Sequence, residues 1–153
     1  MEKKKVFNFL NTSCDLVNLP YEPISSNCFI VRFGVEEWLV RKVSFEPYVV
    51  CDDLSNPPAN KLVIEVSQFD GCGDGWVAGH CSAFNLRGDE LEVEYLDRTG
   101  VPIVRTRYEG SHVESIKFGD LDYNDDDGLR CCYITMSYSR AYDVPIVKDE
   151  KRE

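Results

Sequence analysis

Apolar and polar residues alternate along three stretches of the chain, which is the pattern of a strand with one buried face. The stretches are Lys61 to Phe69, Leu91 to Tyr95 and Leu129 to Tyr138. Their apolar positions are Leu62, Ile64 and Val66, then Leu91, Val93 and Tyr95, then Cys132, Ile134, Met136 and Tyr138. Each stretch therefore predicts a β-strand that packs these residues into a core and turns the residues between them away from it.

Turn residues separate further strand-like runs. Gly34-Val35 lies between Cys28 to Phe33 and Glu36 to Phe45, and glycine at the first central position suits the type II′ turn of a β-hairpin. Pro102, near the start of Val101 to Tyr108, indicates an edge strand or the beginning of a strand. The pattern thus predicts several short antiparallel strands.

The last third of the chain predicts a hairpin around an acidic turn. Ser115 to Phe118 leads to Leu121-Asp122-Tyr123, and Asn124 to Gly128 ends in an Asp-Gly pair before Leu129 to Tyr138. Asp-Gly between alternating segments is a strong hairpin signal. We expect the Asp120 to Asp127 region and the strand after it to form this hairpin.

One segment breaks the alternation. Val77, Cys81 and Phe84 recur at helical spacing within Trp76 to Phe84, which predicts a short helix. The predicted fold is therefore mainly β, an antiparallel β-sandwich or open barrel with one short helix. We expect the domain to span residues 28–147. Residues 1–27 form an aperiodic arm that gains order by docking, and residues 148–153 form a charged tail.

Composition narrows the function. The 153 residues include 17 basic and 27 acidic side chains, a formal net charge of −10, which argues against tight nucleic-acid binding. No stretch approaches the roughly 20 apolar residues of a membrane-spanning helix. Seven cysteines without paired CxxC spacing indicate buried thiols in a reducing compartment rather than a zinc site.

Candidate catalytic and metal-binding patterns are weak. Asp70 to Gly75 resembles the start of a calcium loop, but Cys72 and Cys81 stand where oxygen ligands are needed. The acids between Asp120 and Asp127 are what a turn requires. His80 and Cys81 are adjacent, so on a helix they point in different directions and do not form a nucleophilic pair. We predict no enzyme activity, no cofactor and no metal.

The C-terminal half nevertheless resembles the tube proteins of contractile phage tails. The resemblance rests on Asp89 to Gly100, Tyr108 to Gly110, Val113 to Ile116, Phe118 to Tyr123 and the ending Leu129 to Tyr138. In that family the order is strand, glycine turn, strand, an aromatic-x-Gly step, a Leu-Asp-aromatic element, an acidic turn and a final alternating strand. The similarity extends over about residues 28–143.

The resemblance implies a structural subunit of a phage tail tube. Hexameric rings would stack into a β-lined channel through which DNA passes without specific binding. The implied partners are further copies of the chain, the tail sheath, and tape-measure or baseplate proteins, with no membrane involved in assembly. The implied location is the virion tail, after assembly in the host cytoplasm.

The family pattern and strand alternation also select candidate residues. The assembly or channel-wall candidates are Phe118, Leu121, Tyr123, Leu129, Tyr133, Ile134, Met136 and Tyr138. The candidates for lumen charge are Glu92, Glu94, Asp122, Asp125, Asp126 and Asp127. For DNA passage we expect acids to dominate the lumen and Lys and Arg to lie at subunit contacts or outside, because acidic walls repel a polyanion.

Three other functions remain open at this point. The chain could be a tube-initiator, baseplate or tail-completion protein that shares the tube fold. It could instead be an isolated β-sandwich that acts as a virion adaptor or binding module, or a small metal-dependent enzyme. The oligomeric state separates the tube from the module, and metal analysis tests the enzyme.

Overall fold

The computed structural model describes residues 23–34, 36–50, 55–56, 58–126 and 128–146. These residues form two antiparallel sheets and one helix, in agreement with the predicted β-sandwich. The strands are β1 (Phe29–Phe33), β2 (Glu36–Glu37), β3 (Val40–Phe45), β4 (Asn60–Ser67), β5 (Leu91–Leu96), β6 (Pro102–Glu109), β7 (His112–Phe118), β8 (Cys131–Tyr138) and β9 (Arg140–Val144), and the helix is α1 (Asp74–Arg87). The order is β2-β1-β5-β6-β9 in one sheet and β3-β4-β8-β7 in the other.

The core fills the space between the two sheets. Its residues come from the three stretches that alternate most clearly in the sequence. The apolar positions predicted in β4 and β8 are all buried, and so are most of those in β5. Leu62, Ile64 and Ile134 are completely inaccessible to solvent. Full burial of such a side chain stabilises the fold by roughly 1.5–3 kcal/mol, so these strands anchor the sandwich.

Helix α1 packs against the core and is longer at both ends than the prediction. It buries Val77, Cys81 and Phe84 against the core, as their helical spacing predicted. It ends at Gly88, whose φ of 72° lies in the left-handed region that glycine adopts readily. The Asn85 amide then donates to the Val113 carbonyl (3.0 Å) and accepts from the Val113 N–H (2.8 Å), which ties the helix to β7.

The predicted first hairpin is confirmed only at its turn. β1 and β2 pair around Gly34, whose φ of 63° is the positive value that the turn requires. The prediction of one strand from Glu36 to Phe45 is wrong, because β3 leaves this sheet and pairs with β4 in the other. Trp38 lies at the crossing, 8% exposed and stacked on Phe33 with ring centroids 4.4 Å apart.

The acidic segment connects two paired strands but is not itself a short hairpin turn. β8 pairs with β7 in antiparallel register, and residues 119–130 form the long connection between them. The Gly119 N–H donates to the Cys131 carbonyl at 2.9 Å, which ends the ladder before Leu121. The expectation that Leu121 to Tyr123 adjoins the turn as part of the hairpin is therefore corrected.

Two terminal predictions lie outside the described residues. Residues 1–22 of the predicted arm and 147–153 at the other end cannot be compared with the prediction. Residues 23–28 precede β1 without belonging to a strand or helix. Strand β9 is an addition that the alternation did not predict; it pairs with β6 from Arg140 to Val144.

Candidate assembly surface

The outward face of the five-stranded sheet carries paired carboxylates and guanidiniums. Leu91 of β5 points to the core, so the alternation turns Glu92 and Glu94 to the opposite face. The register places Arg107 of β6 beside Glu92 and Arg105 beside Glu94. Opposite charges thus face each other across neighbouring strands, an arrangement that stabilises a sheet.

Glu94 is the most deeply buried member of this group, at 2% exposure. Its Oε2 accepts hydrogen bonds from Arg105 Nη2 at 2.6 Å and Nε at 3.1 Å, and its Oε1 accepts one from Arg32 Nη2 at 3.1 Å. Burial acts to raise the pKa of the Glu94 carboxyl, but the bonds from Arg105 and Arg32 outweigh it and hold the pKa below the ordinary 4.5. Glu94 is therefore an ionised, structural carboxylate.

The same pairing continues along the sheet. Glu92 Oε2 accepts from Arg107 Nε at 2.7 Å and Nη2 at 2.5 Å, and the hydrogen bond to Glu92 raises the pKa of Arg107. We call the whole group the ion-pair ladder; its members are Arg32, Arg105, Arg107, Arg140, Glu90, Glu92, Glu94 and Glu109. Four cations balance four anions, so the ladder is neutral within a chain of charge −10.

The ladder changes what Glu92 and Glu94 can contribute to a lumen. Four arginines of the ladder lie on their face, although we expected basic side chains to lie elsewhere. Each carboxylate has an arginine on a neighbouring strand, so the two charges cancel at distances beyond one strand spacing. Glu92 and Glu94 therefore add no net repulsion for a polyanion. That this face lines a channel stays a prediction.

The sequence prediction missed the arginines of the ladder, although a signal for them existed. Arg105-x-Arg107 and Glu92-x-Glu94 have the same two-residue spacing on segments that were both predicted as strands. Two segments joined by a short glycine turn pair with each other, so alternate charges on one meet alternate charges on the other. Arg32, which comes from β1, and Arg140, which comes from the unpredicted β9, need the tertiary structure to be found.

The other lumen-charge candidates lie in the connection between β7 and β8. Asp122, Asp125 and Asp126 are exposed there, whereas Asp127 lies outside the described residues. Asp122 shapes the loop, because its Oδ1 accepts from the Asn124 N–H at 2.9 Å and its carbonyl accepts from the Asp125 N–H at 3.1 Å. This loop, unlike the ladder, presents net negative charge to solvent.

The assembly candidates separate into buried and exposed residues. Ile134, Met136 and Tyr138 are at most 4% exposed because β8 turns them into the core. In this structure their side chains do not reach a surface, so as channel-wall candidates they would act by packing the strand that carries the wall, and that role stays a prediction. Phe118 packs partly against the same core.

The remaining candidates do reach the surface. Tyr133 points outward from β8, with the Lys117 ammonium 5.8 Å from its ring centre. Leu121, Tyr123 and Leu129 are 81%, 109% and 62% exposed in the acidic loop. Exposed apolar side chains beside acids are typical of a contact surface, which makes this loop the assembly candidate that is accessible to a partner.

The residues that could suggest catalysis are held in structural contacts. The His80 ring stacks on Trp76 with centroids 3.9 Å apart, and its Nδ1 lies 2.8 Å from the Trp76 carbonyl. Burial raises the pKa of the Cys81 thiol to about 12, so the thiolate needed for attack is scarce at neutral pH. Within the described residues, no group of three or more His, Cys, Asp or Glu side chains could hold a metal ion.

The buried thiols predict a specific labelling pattern. We expect iodoacetamide at pH 7.5 to modify Cys28, which is partly accessible, and to leave Cys81 and Cys132 unmodified, because burial also raises the pKa of Cys132, to about 11. Peptide mass spectrometry of the native protein measures this, and urea-unfolded protein is the control in which all three react. Rapid native labelling of Cys81 would contradict its burial between α1 and the core.

No helix in the described part of the chain is long and apolar enough to cross a membrane.

No protein-family model matches the sequence, and no curated protein matches it at a significant level. Solved structures do match its fold.

Solved structures that share the fold come from contractile injection systems. A chain of the anti-feeding prophage cap, described as a tube-terminating cap, aligns with a TM-score of 0.60 at 17% identity, over 82% of this chain and 93% of that chain. A chain of the PVC sheath-tube complex in its extended state gives 0.58 at 16% identity, over 88% and 98%. The sheath/tube terminator of the same system gives 0.58 at 14% identity, over 82% and 99%.

These alignments include almost the whole length of each compared chain, so the common unit is the complete sandwich with its helix rather than a shared motif. The chain therefore has a contractile tail tube-like fold. This confirms the fold that the resemblance over about residues 28–143 implied.

Proposed function

We propose that this protein is a non-enzymatic structural subunit of a contractile tail tube, and that it assembles as stacked hexameric rings. The observation that carries the proposal is the alignment of the whole sandwich with tube and tube-terminating chains at TM-scores of 0.58–0.60. Its partners are further copies of the chain and the sheath, tape-measure or baseplate proteins of the tail. Its location is the virion tail, after assembly in the host cytoplasm.

The open edges of the two sheets support association between copies. The five-stranded sheet ends at β2 and β9, and the four-stranded sheet ends at β3 and β7. Unpaired edge strands expose backbone donors and acceptors that favour pairing with another chain. Part of the β7 edge is already bonded to Asn85 of α1. Ring closure would remove from solvent the edges that stay unpaired within the subunit.

The ring proposal predicts a discrete mass in solution. We expect sedimentation velocity of the purified full-length chain to show a species of six times the monomer mass, or larger multiples of it. The two sheets, with residues such as Phe118 and Tyr133, are formed in both the monomer and the ring. Far-ultraviolet circular dichroism therefore serves as the control for folding. A folded monomer at every concentration tested would favour the isolated β-sandwich module instead.

The compared structures include both tube and terminating assemblies, so a tube-end role is the second candidate. Chains from a cap and a terminator align as well as the chain from the sheath-tube complex. A shaft subunit is expected to stack into tubes of variable length. A baseplate, initiator or tail-completion subunit is expected to stop at single or paired rings.

For the cargo we propose DNA that passes without specific binding. The support is the charge of −10 together with the exposed acids Asp122, Asp125 and Asp126, since negative walls repel phosphate. The ladder face, being neutral, neither attracts nor repels a polyanion over a distance. The acidic loop therefore replaces Glu92 and Glu94 as the site to test.

The charge of the loop gives a measurable prediction. Replacing Asp125 and Asp126 together by lysine is expected to leave rings able to form but to slow DNA release from particles several-fold, because added cations attract phosphate. Asp70→Lys changes an exposed acid outside this loop and serves as the control. Release at the normal rate by the double variant would argue against a lumen position for the loop.

A further inference from the structure

An open apolar groove of about 370 Å³ lies between β3 and the facing side of the other sheet. Its apolar lining residues are Phe29 of β1, Val43 and Phe45 of β3, and Val93 and Tyr95 of β5. Phe45 remains 51% exposed although its ring lies 6.3 Å from that of Tyr108. The sandwich is therefore not closed along this edge by the described residues.

The backbone beside the groove is also open. β3 is the outer strand of its sheet and pairs only with β4. Alternate backbone N–H and C=O groups of an antiparallel edge strand point away from its neighbour. The six residues Val40–Phe45 thus offer a template for one more strand beside an apolar groove, the geometry of β-strand addition.

The chain itself enters the described structure at this groove. Ile24, Ser25 and Ser26 line it, so the segment before Pro23 begins at its rim. Within that segment, Leu16 to Tyr21 reads Leu-Val-Asn-Leu-Pro-Tyr, and in an extended conformation Val17, Leu19 and Tyr21 share one face. Six residues match the length of β3, and a proline is tolerated in an edge strand.

The charges that flank the segment are opposite in sign to those beside the groove. Asp15 and Glu22 flank the segment Leu16 to Tyr21. Lys42 lines the groove, and Arg98 lines the adjoining cavity with Pro23, Ile24 and Ser25. Within the described part of the chain neither cation forms an ion pair with a carboxylate. In so acidic a chain, two cations without ion pairs beside one groove favour an acidic occupant.

We propose that the segment Leu16 to Tyr21 of the same chain docks along β3 as a fifth strand of that sheet. Val17, Leu19 and Tyr21 fill the groove, and Asp15 and Glu22 approach the cations at its rim. Only Glu22 and Pro23 separate the segment from Ile24, so the short tether gives the chain's own segment a high effective concentration at the groove. This docking completes the subunit and does not depend on ring assembly.

Hydrogen exchange of the full-length chain tests the docking. We expect Leu19→Asp to accelerate exchange of the outward-pointing β3 amides by about tenfold or more, because the added strand no longer protects them, while β8 amides in the core keep their protection. Leu10→Asp, in the same arm but outside the segment, is the matched control and should exchange as the natural protein does. Unchanged β3 exchange in Leu19→Asp would overturn the proposal.

Cross-linking identifies which copy supplies the segment. A carbodiimide joins a lysine amine to a carboxylate in contact with it, so we expect a link from Lys42 to Asp15 or Glu22 and none from Lys117 to either acid. In a mixture of isotope-labelled and unlabelled chains, linked peptides of a single isotope composition support docking within one chain. Linked peptides of mixed composition would show that a second copy's arm occupies the groove, which overturns the assignment to the same chain.

Discussion

Replacing Phe84 by alanine is expected to lower the free energy of unfolding by about 3–5 kcal/mol. Phe84 is 1% exposed on the inner side of α1 and meets the Phe33 ring edge-on, with centroids 5.4 Å apart. Removing the ring leaves a cavity between the helix and the core, and the loss combines the transfer free energy of the ring with the cost of that cavity. The loss in the free energy of unfolding therefore measures how much the packing of α1 on the core stabilises the fold.

Urea unfolding followed by circular dichroism measures this effect, with Leu86→Ala as the control. Leu86 lies two residues further along the same helix and is 87% exposed, so its replacement is expected to change stability by less than about 0.5 kcal/mol. A small loss in the Phe84 variant would mean that the helix does not pack on the core as described.

The second large effect is expected at Glu94. Glu94→Gln keeps the shape of the side chain but removes the charge that Arg32 and Arg105 share, and breaking a buried ion pair costs about 3–5 kcal/mol. Both arginines keep partial exposure, 34% and 24% of their side chains, so water compensates part of the loss. We therefore expect about 2 kcal/mol. Glu109→Gln, in the exposed pair with Arg140, is the matched control and should cost well under about 1 kcal/mol.

The lowered pKa of Glu94 also sets the sign of a pH effect. In the folded chain the carboxylate stays ionised at a pH where the unfolded chain already binds the proton. Its contribution is therefore fully present above the unfolded pKa and is lost as the pH falls through the lower folded value. As the pH falls below about 4.5, the natural protein should lose more stability than Glu94→Gln. Parallel pH profiles for the two proteins would contradict the ion-pair ladder.

The sequence predicted best the strands in which one face packs on the core and the other face does not. In β4 and β8, alternate residues meet the same core, so Leu62, Ile64 and Ile134 reveal the strand locally. The helix was predicted for the same reason, since Val77, Cys81 and Phe84 repeat at its period. Its true ends were missed because the caps at Gly73 and Gly88 act through backbone geometry rather than through apolar spacing.

The errors arise where long-range contacts decide the structure. Trp38 turns into the core between β2 and β3 and moves the chain from one sheet to the other, which no local pattern in Glu36 to Phe45 reveals. β9 is short and half-exposed, and it is a strand because β6 offers it an edge. Leu121 and Tyr123 alternate like strand residues, yet the loop exposes both because the β7–β8 ladder has already ended.

The same distinction separates the candidate residues. Strand alternation correctly sent Glu92 and Glu94 away from the core, but it could not show that Arg32 would arrive from β1 to complete their pairing. Conversely, Ile134 and Met136 were selected for a wall from a family pattern, and the alternation that placed them on one face is the alternation that buries them.

Negative-stain electron microscopy of the purified full-length protein tests the central claim most directly. We expect six-fold rings with a central opening, stacked into tubes for a shaft subunit or stopping at one or two rings for a tube-end subunit. Uniform single particles of monomer size, from protein shown to be folded and at every concentration tested, would contradict a ring-forming role.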